Sequence, residues 1–200
     1  MLTEYGLGAV LSKLEENPNP KYTLEQYSIT PGIAAHILFL AKNDIKGKTV
    51  YDLGCGAGRL AIGAALLGAK TVFGVDLDKE VLRTADNNAR FVEKVTGMPI
   101  RRNCRWLQMD IMKIATKADV VIQFPPFEAG SFFFEKALTL SNKVYSIHKS
   151  SEMMEKSVME ACREHGFMIH EMKKFDYTLK WKSGKTSGFE IMLVIAKKAR

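Results

Sequence analysis

The sequence predicts an α/β fold, with a mostly parallel sheet of seven strands and helices on both faces. Three observations carry that expectation. Strand-like apolar runs alternate with segments of helical periodicity along most of the chain. One such run, Val50, Tyr51 and Leu53, ends directly in closely spaced glycines, Gly54-Cys55-Gly56-Ala57-Gly58, and a helix of small residues follows. The last two strands are joined by a turn-rich loop, LKWKSGKTSG, with no helix between them. So short a connection suits an antiparallel pair.

The elements follow in order. Residues 4–16 read as a short amphipathic helix, with Tyr5, Leu7, Val10, Leu11 and Leu14 near helical spacing. Asn17-Pro18-Asn19-Pro20 stops it. Thr30 caps a second helix over 31–42, with Pro31 at its first position. Strand one covers 48–53, a helix 59–67, and strand two 71–75, which ends at Asp76. A helix over 78–96 opens at Asp78. Strand three spans 103–108 before Asp110, and strand four 118–123. A helix over 131–141, strand five over 143–147 and a helix over 151–164 come next, the last capped at Ser150-Ser151. Strands six and seven cover 167–175 and 188–196. Two hundred residues suit one domain, 1–200, with 1–20 as an N-terminal helical extension.

Composition narrows the class. Hydrophobic residues make up 46% and charged residues 26%, ordinary for a globular protein in water. No apolar run reaches the roughly 18 residues of a membrane span, and the N-terminus lacks the pattern of a signal peptide. Cys55, Cys104 and Cys162 have no metal-ligand spacing and cannot all pair, which points to a reducing compartment and a cytoplasmic protein. Cys55, inside the glycine turn, reads as a small filler. A net charge of +7 permits an acidic partner such as RNA without requiring one.

The glycine turn carries the first chemistry. A nucleotide-like ligand fits the crevice at the carboxyl ends of two parallel strands. Asp76, ending the second strand, is placed to accept hydrogen bonds from both ribose hydroxyls. The spacing is G-x-G-x-G rather than the G-x-G-x-x-G of dinucleotide sites, and Asp52 precedes it. An acid there repels a pyrophosphate and suits a ligand with an amino group. That favours S-adenosylmethionine over NAD.

The second site element is Gln123-Phe124-Pro125-Pro126-Phe127. Two successive prolines cannot extend a central strand, so they form a stiff corner past its carboxyl end. The flanking aromatics either stack on a planar base or cap the core. Alternation along the strand turns Gln123 away from the face that Phe124 takes. Phe132, Phe133 and Phe134 open a helix, and are divided between core and site. His148 and Lys149 follow strand five. Lys180, Trp181, Lys182 and Lys185 mix cations with an aromatic at the hairpin tip, a pattern that can neutralise phosphates and stack a base. Arg101, Arg102 and Arg105 extend a basic face or a solvated loop.

Asp52-Leu53-Gly54-Cys55-Gly56-Ala57-Gly58, with Asp76, Asp110 and Pro125-Pro126-Phe127, resembles the Rossmann-like class I methyltransferases that use S-adenosylmethionine and act on amines. Leu24-Glu25-Gln26-Tyr27 and Val144-Tyr145-Ser146-Ile147-His148-Lys149-Ser150-Ser151 narrow the likeness to METTL5-like enzymes and their archaeal relatives, from about residue 20 onward. Those enzymes N6-methylate an adenosine in small-subunit ribosomal RNA. The resemblance implies that Gly54, Gly56 and Gly58 admit the methionine part of the cofactor and that Asp76 binds its ribose. Asp110 would accept from its adenine amino group, with Ile111 against the ring, and Gln26 and Thr30 would close over it. It also implies RNA contacts for His148 and Lys149, and a small zinc-binding activator protein as partner. No metal is required for the transfer.

One departure stands out. The family motif is Asn-Pro-Pro-Phe or Asp-Pro-Pro-Tyr, and this chain has Phe124 at the polar position. Catalysis is expected at Phe124, Pro125, Pro126 and Phe127. The lost acceptor leaves open a cofactor-binding RNA-associated protein with weak or no transfer. The proline corner also leaves open a protein-glutamine methyltransferase, although that enzyme usually retains Asn-Pro-Pro-Tyr and the basic tip argues against it.

Overall fold

The computed structural model of the chain describes residues 2–180 and 186–199. Seven strands form one sheet: β1 (Thr49–Leu53), β2 (Thr71–Asp76), β3 (Cys104–Gln108), β4 (Val120–Gln123), β5 (Lys143–Lys149), β6 (Phe167–Lys180) and β7 (Thr186–Lys198). Their order is β3-β2-β1-β4-β5-β7-β6. The first five run parallel, and β7 is antiparallel to both β5 and β6. The chain therefore winds outward from β1 to β3, then returns to β4 on the other side of β1. The crevice at that switch point, past the carboxyl ends of β1 and β4, is where such sheets bind ligands.

Among the described residues seven α-helices cover the sheet: α1 (Glu4–Leu11), α2 (Pro31–Leu40), α3 (Lys42–Ile45), α4 (Arg59–Leu66), α5 (Lys79–Thr96), α6 (Gly130–Leu140) and α7 (Glu152–His165). Strand alternation divides the core into two layers. Val50, Ile122, Tyr145 and Ile147 face Leu7, Leu11, Ile37, Leu38, Ile62 and Val92 from α1, α2, α4 and α5. Tyr51, Leu53, Val121 and Val144 face Phe134, Leu138, Val158 and Cys162 from α6 and α7. No helix among the described residues is long and apolar enough to cross a membrane.

The caps form as expected. Thr30 Oγ1 accepts from Ile33 N, Asp78 Oδ1 from Glu80 N, and Ser151 Oγ from Met154 N. Three boundaries differ from expectation. Helix α1 stops at Leu11, well before the Asn-Pro breaker, because Asn88 takes over the backbone of Glu15. Asn88 accepts from Glu15 N and donates to Glu15 O, both at 2.9 Å. Strand β5 runs two residues further, so His148 and Lys149 pair with Met192 and Ile191 of β7. The β6–β7 pairing extends to Lys180↔Thr186. Its extension is held by Tyr177 and Leu179, alternate positions whose side chains are buried among otherwise polar neighbours.

Candidate active site

One cavity of about 380 Å³ joins the two site elements. It is lined by the glycine turn with Asp52 and Asp76, by Asp110 and Ile111, and by Phe124, Pro126, Phe132 and Phe133. Residues between Leu14 and Ile29 roof it.

Asp52 lies in β1 and is 2% exposed. Its Oδ2 accepts the N–H of Ala61 in the first turn of α4 at 2.9 Å. Its Oδ1 is buried with no partner among the described residues. Burial pushes this carboxyl up to about 7, with the Asp76 charge adding in the same direction. Asp76 ends β2 and is held by two backbone N–H groups. Oδ2 accepts from Gly56 and Oδ1 from Asp78, each at 2.9 Å. Burial raises its carboxyl as well, against those two bonds.

Gly54, Gly56 and Gly58 all have positive φ, at 69°, 52° and 84°. Gly56 needs that conformation to bring its N–H onto Asp76. Gly58 needs it for another reason. A Cβ there would lie 2.8 Å from the Trp106 ring and 3.0 Å from Ala85 Cβ. Gly58 is therefore a packing residue between α4, α5 and β3, and it does not line the cavity. The expectation that it admits ligand is corrected. Cys55 is buried and lines the cavity, and desolvation pushes its thiol well above its ordinary value.

Asp110 follows β3, with Oδ1 accepting from Met112 N at 2.9 Å, and Ile111 is buried beside it. Phe124 packs edge-on to Phe127 with ring centroids 5.7 Å apart, and meets Tyr177 at 5.9 Å. Phe127 stacks on Tyr27 at 5.5 Å and meets Phe189 at 5.3 Å. Pro125 is buried, and neither it nor Phe127 lines the cavity. Gln123 turns to the opposite face, as alternation predicts, and donates to Ser146 Oγ at 2.8 Å.

The roof is tied down at several points that the sequence does not reveal. Tyr177 Oη donates to Ser28 O at 2.7 Å. The Arg59 guanidinium donates to Ile29 O and lies 3.6 Å from Glu16. Lys21 pairs with Asp78 at 3.0 Å. Gln26 donates to Asp78 Oδ2 at 3.0 Å, while its Oε1 accepts from Asn17 and from Lys21 N. Gln26 thus lines the cavity with its amide committed to holding the roof.

Thr30 caps α2 with its hydroxyl and is not one of the residues lining the cavity. One further expectation is corrected. His148 is 1% exposed, so it cannot meet RNA. It lies edge-on to Phe134, with Nε2 2.7 Å from Ser146 Oγ, and burial pushes its imidazole down to about 3. Lys149 is exposed, with Nζ 5.3 Å from the Phe189 ring centre. Trp181, Lys182 and Lys185 lie outside the described residues. So does the side chain of Lys180, whose backbone ends β6.

A family model described as ribosomal protein L11 methyltransferase (PrmA) matches residues 33–124. An rRNA N(6)-adenosine-methyltransferase of Drosophila melanogaster is 35% identical, over 90% of this chain and 93% of its own length. A Danio rerio protein of the same description is 36% identical, over 72% of this chain and 73% of its own. The chain belongs to the METTL5 family of methyltransferases. A Pyrococcus horikoshii structure, described as a candidate RNA methyltransferase, superposes with a TM-score of 0.88 at 31% identity over 100% of both chains.

The cofactor of METTL5-type class I methyltransferases is S-adenosylmethionine, and the cavity fits it. The unpartnered, buried Asp52 Oδ1 calls for a cationic donor such as an α-ammonium. Asp76 keeps lone pairs for hydroxyl donors, because its two oxygens offer about four acceptor sites and the Gly56 and Asp78 N–H bonds take two of them. Sequence reasoning missed Glu25, Tyr27, Arg59, Asn88 and Tyr177. Of these, Glu25 and Tyr27 lay within the Leu24–Tyr27 motif and could have been flagged.

Proposed function

We propose that this chain methylates N6 of an adenosine in small-subunit ribosomal RNA, in the cytoplasm. The observation that carries the reading is one cavity lined both by Asp52 and Asp76 and by Phe124 and Pro126 of the proline corner. The rRNA N(6)-adenosine-methyltransferase relatives supply the substrate class, and the net charge of +7 suits a polyanion.

The residues divide the work. Asp52 Oδ1 holds the cofactor's ammonium, and Gly54 and Gly56 admit its methionine part. Asp76 takes the ribose hydroxyls, and Asp110 with Ile111 takes the adenine. When bound, S-adenosylmethionine would supply an activated methyl group on its sulfonium, with the thioether as leaving group and the proton of the methylated amine released to solvent. No general base is needed. The chain's task is alignment of the amine with the methyl, an effect worth up to ~7–11 kcal/mol in favourable cases. By the family motif the carbonyl of the first proline, Pro125, would accept one amine hydrogen, and Phe124 with Pro126, which line the cavity, bound the base.

The test is tritium transfer from labelled S-adenosylmethionine to small-subunit rRNA transcribed in vitro, followed by nucleoside analysis. Label in N6-methyladenosine is expected, and label in protein alone would overturn the reading. Phe124 favours one second reading, cofactor and RNA binding without transfer. Under that reading the parent is silent and Phe124→Asn restores label.

A further inference from the structure

Phe124 leaves the methyl acceptor one hydrogen-bond partner short. An exocyclic amine carries two hydrogens, and by the family motif the carbonyl of the first proline, Pro125, would take one. The ring at position 124 offers no acceptor for the other. Restoring in-line alignment requires a second acceptor at the same end of the cavity.

Glu25 lines that cavity together with Phe124 and Pro126. Its Oε2 accepts the N–H of Glu128 at 2.9 Å, which fixes the carboxylate at the end of the 124–127 bend. Its Oε1 takes no hydrogen bond from the described residues. Among those residues, Glu25 is the one non-glycine at positive φ, 45°. Strain of this kind persists where the surroundings overdetermine it, and it clusters at functional sites. The surroundings here are definite. Gln26 is bound on three sides by Asn17, Lys21 and Asp78, and Tyr27 is stacked on Phe127. The chain is clamped on one side of Glu25, and its carboxylate is tied to the motif on the other.

The geometry points to Glu25 as the side-chain acceptor for the second hydrogen of the methylated amine, in the place that position 124 vacates. This rests on the amine-methylating reading above. Glu25 accepts a hydrogen bond and takes no proton; the amine proton still passes to solvent after transfer. A fixed carboxylate also favours the transition state over the ground state, because the nitrogen gains positive charge as its bond to the methyl forms.

Glu25→Gln tests this with little risk to folding. The single amide oxygen stays on Glu128 N–H and turns an NH₂ donor toward the amine. With in-vitro small-subunit rRNA and tritiated S-adenosylmethionine, kcat is expected to fall about 10²–10³-fold while the RNA KM and cofactor Kd hold. In a Phe124→Asn background the same change should cost less than about tenfold, since the restored side chain makes Glu25 redundant. An unchanged kcat in Glu25→Gln overturns the assignment. So does an equal loss in both backgrounds, which would mark a structural role. If neither the parent nor Phe124→Asn labels rRNA adenosine while both bind cofactor, the proposed function itself fails, and the role of Glu25 with it.

Discussion

Asp52→Asn separates the cost of the cofactor site from its benefit. In the free protein the Asp52 carboxylate is buried with one oxygen unpartnered, and its carboxyl stands at about 7 against an ordinary 3.8. Ionising it there costs on the order of 4 kcal/mol. The sign follows from linkage. A raised carboxyl means that the folded state binds more protons than the unfolded one between about pH 4 and pH 7. Stability is therefore lost as pH rises through that window, and the loss is complete above about pH 7. Asparagine keeps the bond from Ala61 N and removes the charge. The variant should match the parent near pH 4 and exceed it at pH 8 by up to about 4 kcal/mol, less the cost of burying an unpaired amide. At roughly 2–4 °C per kcal/mol, that is a rise of several degrees in Tm. The ligand response should run the other way, because a buried ammonium loses its counter-charge at a cost of about 2–5 kcal/mol in affinity. Thermal unfolding from pH 4 to 8.5, with and without S-adenosylmethionine, measures both effects. A variant no more stable than the parent at pH 8, with the same cofactor-induced rise in Tm, would refute the reasoning.

Three other outcomes follow from the same geometry. Gly58→Ala should lose about 2–4 kcal/mol in denaturant unfolding, from its left-handed φ and from contact with Trp106 and Ala85. Tyr177→Phe removes the bond to Ser28 O and should cost about 1 kcal/mol, with faster hydrogen exchange across residues 14–29 than elsewhere. Asp76→Asn should weaken cofactor binding in calorimetry by about 1.5–3 kcal/mol while leaving the far-UV spectrum unchanged.

The β1–α4–β2 unit was legible because its signals are local: an apolar strand, a glycine turn, a small-residue helix and a terminal acid lie within about 30 residues. The proline corner was legible for the same reason. The roof was not, because its contacts join Ser28 to Tyr177, Glu25 to Glu128 and Glu15 to Asn88, far apart along the chain. Thr30 and Gly58 were assigned to the ligand, yet each meets a structural demand that spacing alone does not distinguish from binding. His148 was expected at the RNA because strand five was expected to end at residue 147 and the resemblance implied the contact. Two more residues of strand pairing put it under Phe134 instead. Tyr177 and Leu179 sit in a polar stretch whose composition resembles a loop, and their period-two burial shows only when β7 lies alongside.

The whole account depends on where the sulfonium nucleoside sits, and a crystal structure with S-adenosylhomocysteine shows this directly. The expected density puts its ribose hydroxyls on Asp76, its ammonium on Asp52 Oδ1 and its sulfur facing the Pro125-Pro126 bend. Density elsewhere, or a ribose away from Asp76, would contradict it.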